Sequence, residues 1–257
     1  MAAIAALLDN RAALGVLRRS LPRGTGPVVA HRSASGLERG LEARVVEAIV
    51  VGAQAARKMD LPALRLRFPT IPLLIYGAIR PEDGALVMGY HRLGVAALLV
   101  EGVDDAVVGD MVFRCGASAS RRAALIEAPR RLRLTEPLQL RAWDRLVASA
   151  GRPPRTSVLA EELGLSREHL SRQFSAGGAP TLKRVSDLLA VITALDLLEN
   201  PGYQPVAVSR LLGFASPSHL RATVRRVMGT GLDAAQQLAM PELVRRFASL
   251  AARRRGA

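Results

Sequence analysis

The sequence predicts two domains of different fold class, an α/β domain followed by an all-α domain. Over the first 117 residues, short apolar runs alternate with amphipathic stretches, a pattern typical of a doubly wound parallel sheet covered by helices on both faces. From residue 136 onward the apolar residues recur only at helical spacing. A chain of 257 residues is long enough for two such domains.

Five apolar runs in the first domain predict strands. Each run has four to six residues. The predicted strands are residues 4–8, 28–31, 46–51, 71–76 and 95–100. Because helical stretches separate them, the strands are expected to lie parallel in one five-stranded, doubly wound sheet.

The stretches between these runs predict helices. Residues 11–21, 37–44, 61–68 and 81–93 have helical apolar spacing. A last helix is expected to open at Asp104-Asp105, since acidic residues favour the positive end of a helix.

Charge is unevenly distributed along the chain. Residues 1–117 carry 14 Lys and Arg against 11 Asp and Glu, whereas residues 118–257 carry 22 against 11. An excess of positive charge in one half favours a polyanionic partner for that half. By composition, residues 118–135 are predicted to form a linker, residues 136–240 the second domain, and residues 241–257 a basic C-terminal tail.

Several kinds of site are not expected from the composition. Cys115 is the single cysteine, and the four histidines include no pair at i,i+4 that could share a metal. No glycine-rich phosphate loop is present. Residues 1–8 lack the basic start of a signal peptide, and no uncharged apolar run approaches about 20 residues. We therefore expect a cytoplasmic protein with no metal, no cofactor and no membrane partner.

A unit repeated at an offset of 50 residues carries the functional prediction. Residues 166–174 (SREHLSRQF) and 216–224 (SPSHLRATV) have Ser, His and Leu at the same places. An apolar helical stretch precedes each segment and ends at Gly164 or Gly213, and glycine readily adopts the left-handed conformation of a sharp turn. The serine that opens each segment can cap the following helix. Helix, glycine turn and capped helix form the helix-turn-helix pattern.

The spacing within each repeat separates an inner from an outer face. Leu170 and Phe174 are four residues apart and are expected to pack inward, as are Leu220 and Val224. The outer face near the helix start reaches base edges when such a helix enters a major groove. The outward residues are Arg167, Glu168, Ser171 and Arg172 in the first unit, and Ser218, Arg221 and Arg225 in the second.

Residues 138–238 resemble the DNA-binding domain of the AraC/XylS family of bacterial transcription regulators. The resemblance is carried by residues 159–166 (LAEELGLS), 170–174 (LSRQF) and 212–220 (LGFASPSHL). It implies seven helices, with two recognition helices that are held by a linking helix and enter the major groove of double-stranded DNA. Position by position, it adds Pro217 to the candidate DNA-contacting residues.

The second repeat departs from the family pattern. Ala222 stands where the family usually has a basic or polar residue, and Leu220 and Val224 replace the usual phenylalanines. The proline that the family has near Leu232 is missing. We therefore expect the second unit to contact fewer bases and mainly to hold the DNA backbone.

The first domain looks like a CheY-type receiver domain without its phosphorylation chemistry. Such domains have a phospho-accepting Asp after strand three, a Ser or Thr after strand four, a Lys after strand five and an acidic pair that holds magnesium. Here those strand ends carry Gly52, Ala78 and Glu101, and only Asp9 remains from the acidic pair. The scaffold is expected to serve dimerisation or partner binding instead.

The leading hypothesis is a phosphorylation-independent transcription regulator of the AraC type that forms a homodimer through the first domain, with RNA polymerase as a candidate further partner. Alternatives are a response regulator with a non-standard phosphorylation site and a protein-interaction adaptor whose helix-turn-helix units are degenerate. A ligand at the strand ends is a further alternative. An enzyme is not expected, because Cys115 follows a predicted helix and no G-x-S-x-G elbow is present.

Overall fold

The computed structural model describes residues 2–253, which form two compact units. Unit 1 comprises the chain up to Ser120 together with Asn200–Tyr203, and unit 2 comprises Arg121–Glu199 and the residues from Gln204 onward. Unit 1 is an α/β unit and unit 2 is helical. The predicted fold class is therefore confirmed.

Unit 1 is built on a five-stranded parallel sheet with the strand order β2-β1-β3-β4-β5. This is the flavodoxin-like order that CheY also has. The strands are β1 (Ala3–Leu7), β2 (Val28–Ala30), β3 (Val46–Val51), β4 (Leu73–Gly77) and β5 (Ala97–Val100). The carboxyl ends of all five strands consequently meet at one edge of the sheet.

Six helices connect or follow these strands. They are α1 (Arg11–Ser20), α2 (Ala34–Ala43), α3 (Ala53–Lys58), α4 (Leu61–Arg67), α5 (Gly84–Arg92) and α6 (Val108–Cys115). The last helix begins at Val108 and not at Asp104-Asp105 as expected. The two carboxylates instead accept hydrogen bonds from the main chain of Val100 and Gly102, which stabilises the turn before the helix.

Helices cover the sheet on both faces, as the continuous apolar strands predict. On one face, Ile4, Val50 and Leu74 pack with Leu17 of α1 and Val112 of α6. The alternate strand residues face the other side, where α2 packs on β1 and α3 packs on β4. Both faces are buried, which is why the strands are apolar throughout.

Unit 2 is arranged around a central helix, α12 (Leu182–Leu198), whose residues are buried along nearly its whole length. Helix α7 (Ala117–Ala124) spans the division between the units. The further helices are α8 (Ala128–Arg131), α9 (Pro137–Ala148), α10 (Thr156–Glu162), α11 (Arg167–Phe174), α12 (Leu182–Leu198), α13 (Pro205–Leu212), α14 (Pro217–Met228), α15 (Leu232–Gln236) and α16 (Met240–Arg253). Within the described residues, α9 to α15 are the seven helices that the family resemblance implies.

Helices occupy much of the expected linker and tail. Residues 118–135 hold most of α7 and all of α8, so the expected linker is largely helical. Residues 240–253 form α16, in which Leu243, Val244 and Phe247 are buried. These apolar residues recur at helical spacing in the segment predicted as a basic tail. Residues 254–257 of that tail lie outside the described residues.

Candidate nucleic-acid interface

Each helix-turn-helix unit consists of two helices joined at a glycine in the left-handed region. Helices α10 and α11 form the first unit, and α13 and α14 form the second. Gly164 has φ 72° and Gly213 has φ 78°, values that side chains with a Cβ adopt only at a cost in free energy. Both turns have the geometry that the sequence predicts.

Serine hydroxyls cap both recognition helices at equivalent positions. The hydroxyl of Ser166 accepts a hydrogen bond of 3.2 Å from the main-chain N–H of His169. The hydroxyl of Ser216 accepts one of 3.1 Å from the N–H of His219. Such caps satisfy an N–H group that has no partner within the helix. The two recognition helices therefore begin at the same point of the repeat.

The inner faces of the recognition helices are completely buried. Leu170 and Phe174 of α11, and Leu220 and Val224 of α14, each have 0% exposure. The apolar residues that replace the family's phenylalanines in α14 therefore still fill the core.

The outer faces carry the predicted DNA-contacting residues. Seven of them are exposed, and Pro217 at the start of α14 is half-buried. The exposed residues are Arg167, Glu168, Ser171 and Arg172 on α11, and Ser218, Arg221 and Arg225 on α14. In the part of the chain that the structure describes, no carboxylate forms an ion pair with any of the four arginines. Their guanidinium groups can therefore bind phosphate oxygens or guanine edges.

A buried glutamine holds the end of the first recognition helix. The Gln139 side-chain nitrogen donates to the carbonyls of Phe174 at 2.9 Å and Ala176 at 3.2 Å. Its side-chain oxygen accepts from the main-chain N–H groups of Thr135 at 2.8 Å and Glu136 at 3.0 Å. Gln139 is 1% exposed, so these bonds fix α11 relative to α9. Its partners lie up to 37 residues away along the chain, so no local sequence pattern marks Gln139 as structurally important.

A buried carboxylate anchors the second recognition helix to α12. Asp187 accepts from Arg226 of α14 at 2.9 Å and from Lys183 at 2.6 Å. Its side chain is only 11% exposed, whereas that of Arg226 is 48% exposed. Arg226 is thus engaged with α12, while its neighbour Arg225 lies free of carboxylates on the outer face.

Helix α16 supports the other end of α14. The Nε atom of Arg246 donates a 2.6 Å hydrogen bond to the carbonyl of Met228, the last residue of α14. Nearby, Phe247 is buried, and the guanidinium of Arg184 lies 5.4 Å from the centre of its ring. A cation in the last turn also interacts favourably with the negative end of a helix dipole.

At the strand ends of unit 1, Asp9 lies next to Gly52, the position at which a receiver domain has its phospho-accepting aspartate. Its two carboxylate oxygens accept hydrogen bonds of 2.9 Å each from the main-chain N–H groups of Gln54 and Ala55. A Cβ atom on Gly52 would lie 2.5 Å from the carboxyl carbon of Asp9. An aspartate at residue 52 would therefore require Asp9 to move.

The other acidic groups at this edge also have donors within the protein. Glu101 accepts from Asn10 at 3.0 Å, and Asp105 accepts from the Tyr76 hydroxyl at 2.6 Å. The Tyr76 bond, followed by one from the Gly102 N–H, lowers the pKa of Asp105. Burial raises the pKa of Tyr76, and the bond to Asp105 adds to this effect.

Residues 2–253 contain neither a metal-binding cluster nor a membrane-spanning helix. No three His, Cys, Asp or Glu side chains are grouped so that they could hold a metal ion. No helix in this part of the chain is long and apolar enough to cross a membrane.

Comparison with known proteins agrees with the geometry of unit 2. Residues 159–236 match the helix-turn-helix domain family of the AraC/XylS type. The resemblance predicted from the sequence is thereby confirmed. The match begins within α10 and extends to the end of α15, so it includes most of the first helix-turn-helix unit and all of the second. It indicates DNA-binding transcription regulation. No curated protein matches the chain.

The chain is also similar, at low sequence identity, to several solved structures. Full-length FixJ from B. japonicum is 14% identical over 88% of this chain and 96% of its own, with a TM-score of 0.38. RcsB from Salmonella enterica serovar Typhimurium, bound to the promoter rprA, is 13% identical over 68% of this chain and 89% of its own, with a TM-score of 0.38. A response regulator from Burkholderia pseudomallei is 16% identical over 69% of this chain and 99% of its own, with a TM-score of 0.37. The receiver-like fold of unit 1 follows from its own strand order.

Proposed function

We propose that this protein is a sequence-specific transcription regulator of the AraC type that acts without phosphorylation and dimerises through unit 1. The observation that carries the proposal is the pair of equivalent, serine-capped recognition helices. Each presents arginines that no carboxylate of the described chain engages. RNA polymerase is a candidate partner of the DNA-bound protein.

The first recognition helix is the main reader of sequence in this proposal. Arg167 and Arg172 have the fork geometry that binds the O6 and N7 atoms of guanine, and Glu168 can accept from the amino group of cytosine. All three are exposed. A carboxylate among arginines repels phosphates, so Glu168 favours a base contact over a backbone contact.

The second recognition helix contributes mainly backbone contacts. Arg221 and Arg225 are exposed on α14, but the exposed residue between them at position 222 is an alanine. A methyl side chain offers no hydrogen bond to a base edge, although it can contact a thymine methyl group. Fewer polar groups therefore reach the bases from α14 than from α11.

Independence from phosphorylation rests on the strand ends of unit 1. Gly52 offers no acceptor oxygen, and the Asp9 carboxylate fills the space beside it. Ala78 lacks the hydroxyl of a receiver switch residue. Glu101 has the opposite charge to the usual lysine and is bonded to Asn10. Together these features disfavour the transfer and stabilisation of a phosphoryl group.

Dimerisation through unit 1 is supported by apolar exposure around α5 and β5. Helix α5 buries only Tyr90, and Met88 on the same helix is 57% exposed. Val103 and Val107, which follow β5, are 77% and 47% exposed. Strand β5 lies at the edge of the sheet. Exposed apolar side chains beside an edge strand favour association with a second copy.

Selection of genomic DNA by the full-length protein tests this function. Fragmented DNA from the source genome is retained on the purified protein and sequenced, for the wild type and for an Arg167→Ala/Arg172→Ala variant. We expect one enriched motif that is lost in the variant, because each good arginine–guanine contact contributes about 1–3 kcal/mol of discrimination.

A charge-matched variant separates base reading from general attraction to DNA. Arg131→Ala/Arg141→Ala removes two exposed arginines from α8 and α9 and should retain the motif. Weak, sequence-independent retention that is equal in all three proteins would contradict the proposal and favour the adaptor hypothesis. A mass increase on incubation with acetyl phosphate would contradict independence from phosphorylation. A monomeric mass in sedimentation at working concentration would contradict dimerisation.

A further inference from the structure

An open crevice lies at the carboxyl end of β1, beside the point between β1 and β3 where the strand order reverses. It consists of two adjoining cavities of about 480 and 620 Å³. The cavities share Leu7, Leu8, Asp9 and Arg32 as a common wall. In open parallel sheets, ligands bind in the crevice outside the strand ends at such a reversal point.

The crevice carries an excess of positive charge. Arg32 and Lys58 line the smaller cavity, and Arg11 and Arg32 line the larger one. All three side chains are exposed, and none pairs with a carboxylate within residues 2–253. Asp9 is the acid among the described lining residues, and main-chain N–H groups already bind both of its oxygens. The lining therefore has three cations against one internally bonded carboxylate.

The same crevice offers apolar surface next to these charges. Leu8 and Met59 line the smaller cavity and Leu8 and Leu14 the larger one, and all three are half-buried. Pockets for small molecules typically combine such apolar walls with a few polar groups that fix the orientation of the ligand. Inorganic phosphate alone would leave these walls uncovered.

We propose that this crevice binds a small organic phosphate monoester, with its phosphate between Arg32 and Lys58 and its body against Leu8 and Met59. A phosphate monoester carries nearly two negative charges at neutral pH, which matches the net charge of the lining. Arginine and lysine bind phosphate oxygens through charge-assisted hydrogen bonds. The ligand is held without a covalent bond and needs no group from the DNA-binding helices.

Calorimetric titration of the full-length protein with phenyl phosphate tests the proposal. Phenyl phosphate joins a phosphate to an apolar ring. Inorganic phosphate lacks the ring, and benzoate lacks the phosphate. We expect phenyl phosphate to bind most tightly. Arg32→Ala/Lys58→Ala should weaken binding at least about tenfold, because two hydrogen bonds to a charged group are lost. Arg23→Ala/Arg39→Ala, which removes two exposed arginines of unit 1 outside the crevice, should bind as the wild type does.

Three outcomes overturn the proposal. One is no heat of binding with millimolar phenyl phosphate. Another is an equal loss of affinity in both double variants, which indicates general attraction of anions. The third is loss of binding in Arg167→Ala/Arg172→Ala, which places the phosphate on the DNA-binding helices. Ligand binding to the crevice and retention of DNA are measured in separate experiments, so failure of one proposal leaves the other intact.

Discussion

The side-chain nitrogen of Gln139 donates a 2.9 Å hydrogen bond to the carbonyl of Phe174, the last residue of the first recognition helix. The carbonyls at a helix end have no partner within the helix. Phe174 and Gln139 are both buried, so water cannot replace this bond. The orientation of the first recognition helix consequently depends on a residue of α9 that contacts no DNA in the proposed complex.

Replacement of Gln139 should destabilise unit 2. In Gln139→Ala, buried main-chain groups at both ends of the side chain lose their partners, and we expect a loss of about 2–3 kcal/mol in the free energy of unfolding. Trp143 is the single tryptophan and is 4% exposed on the same helix. Its fluorescence during urea unfolding therefore reports on this unit.

Two further variants test the role of the Gln139 hydrogen bonds. Gln139→Glu keeps the acceptor for Thr135 and Glu136 but places a charged oxygen against the Phe174 carbonyl, so it should also be destabilised. Gln173→Ala removes an exposed glutamine of α11 and should change stability by less than about 0.5 kcal/mol. A Gln139→Ala protein as stable as the Gln173→Ala protein would refute the role of Gln139.

A side chain at residue 52 should disturb Asp9. The backbone of Gly52 has φ −66°, which alanine adopts without strain. The Cβ atom in Gly52→Ala would nevertheless meet the Asp9 carboxyl group at 2.5 Å. We expect a loss of about 1–3 kcal/mol in the stability of unit 1 from this overlap. Hydrogen exchange of the β1 and β3 amides measures it.

A double-variant cycle identifies the cause of this loss. With Asp9→Ala in place, the Gly52→Ala change should cost much less, because the colliding carboxylate is gone. Additive effects of the two changes would show that residue 52 collides with something other than Asp9.

The sequence predicted the features that repeat or that depend on local pattern. Apolar runs located the five strands, and the glycine and serine of each repeat located the turns and caps of both recognition helices. These features are local, because a turn conformation or a helix cap depends on residues within a few positions. For the same reason the inner and outer faces of α11 and α14 could be assigned by spacing alone.

The features that the sequence did not reveal depend on contacts between distant residues. Gln139 and Asp187 look like ordinary polar residues of helices until packing places their partners beside them, 35 and 39 residues away along the chain. Helix α3 has an alanine-rich sequence with no apolar period, and its start is bonded to Asp9, 45 residues earlier. In α16, the apolar residues lie among arginines, and the basic composition favoured the interpretation as a tail over a packed helix.

Helix α16 should contribute strongly to the stability of unit 2. Phe247 is 1% exposed, and Phe247→Ala should lower the free energy of unfolding by about 3–5 kcal/mol through loss of burial and the cavity left behind. Ser249→Ala, a change on the same helix at a side chain that bonds only within α16, is the control and should be nearly neutral. Equal Trp143 unfolding curves for the two variants would show that residues 240–253 behave as a tail.

The hydrogen bond from Tyr76 to Asp105 should make the stability of unit 1 depend on acidic pH. The pKa of Asp105 is lower in the folded protein than its ordinary value, and the Tyr76 hydroxyl is the largest cause. A carboxyl group with a depressed folded pKa stabilises the protein above its unfolded pKa, about 3.9, and this stabilisation is lost as the pH falls through the folded pKa. Tyr76→Phe should therefore be less stable than the wild type above about pH 5, and the difference should shrink towards pH 3.

Urea unfolding followed by far-UV circular dichroism at pH 7, 5, 4 and 3 measures this difference. Tyr90→Phe is the matched control, because Tyr90 is also buried but its hydroxyl has no hydrogen-bond partner among the described residues. Its stability relative to the wild type should stay constant over this acidic range, since the change removes no bond to a carboxylate. If the difference in stability between Tyr76→Phe and the wild type were equally constant, the hydroxyl would contribute through packing alone. The hydrogen bond would then not be the cause of the lowered pKa of Asp105.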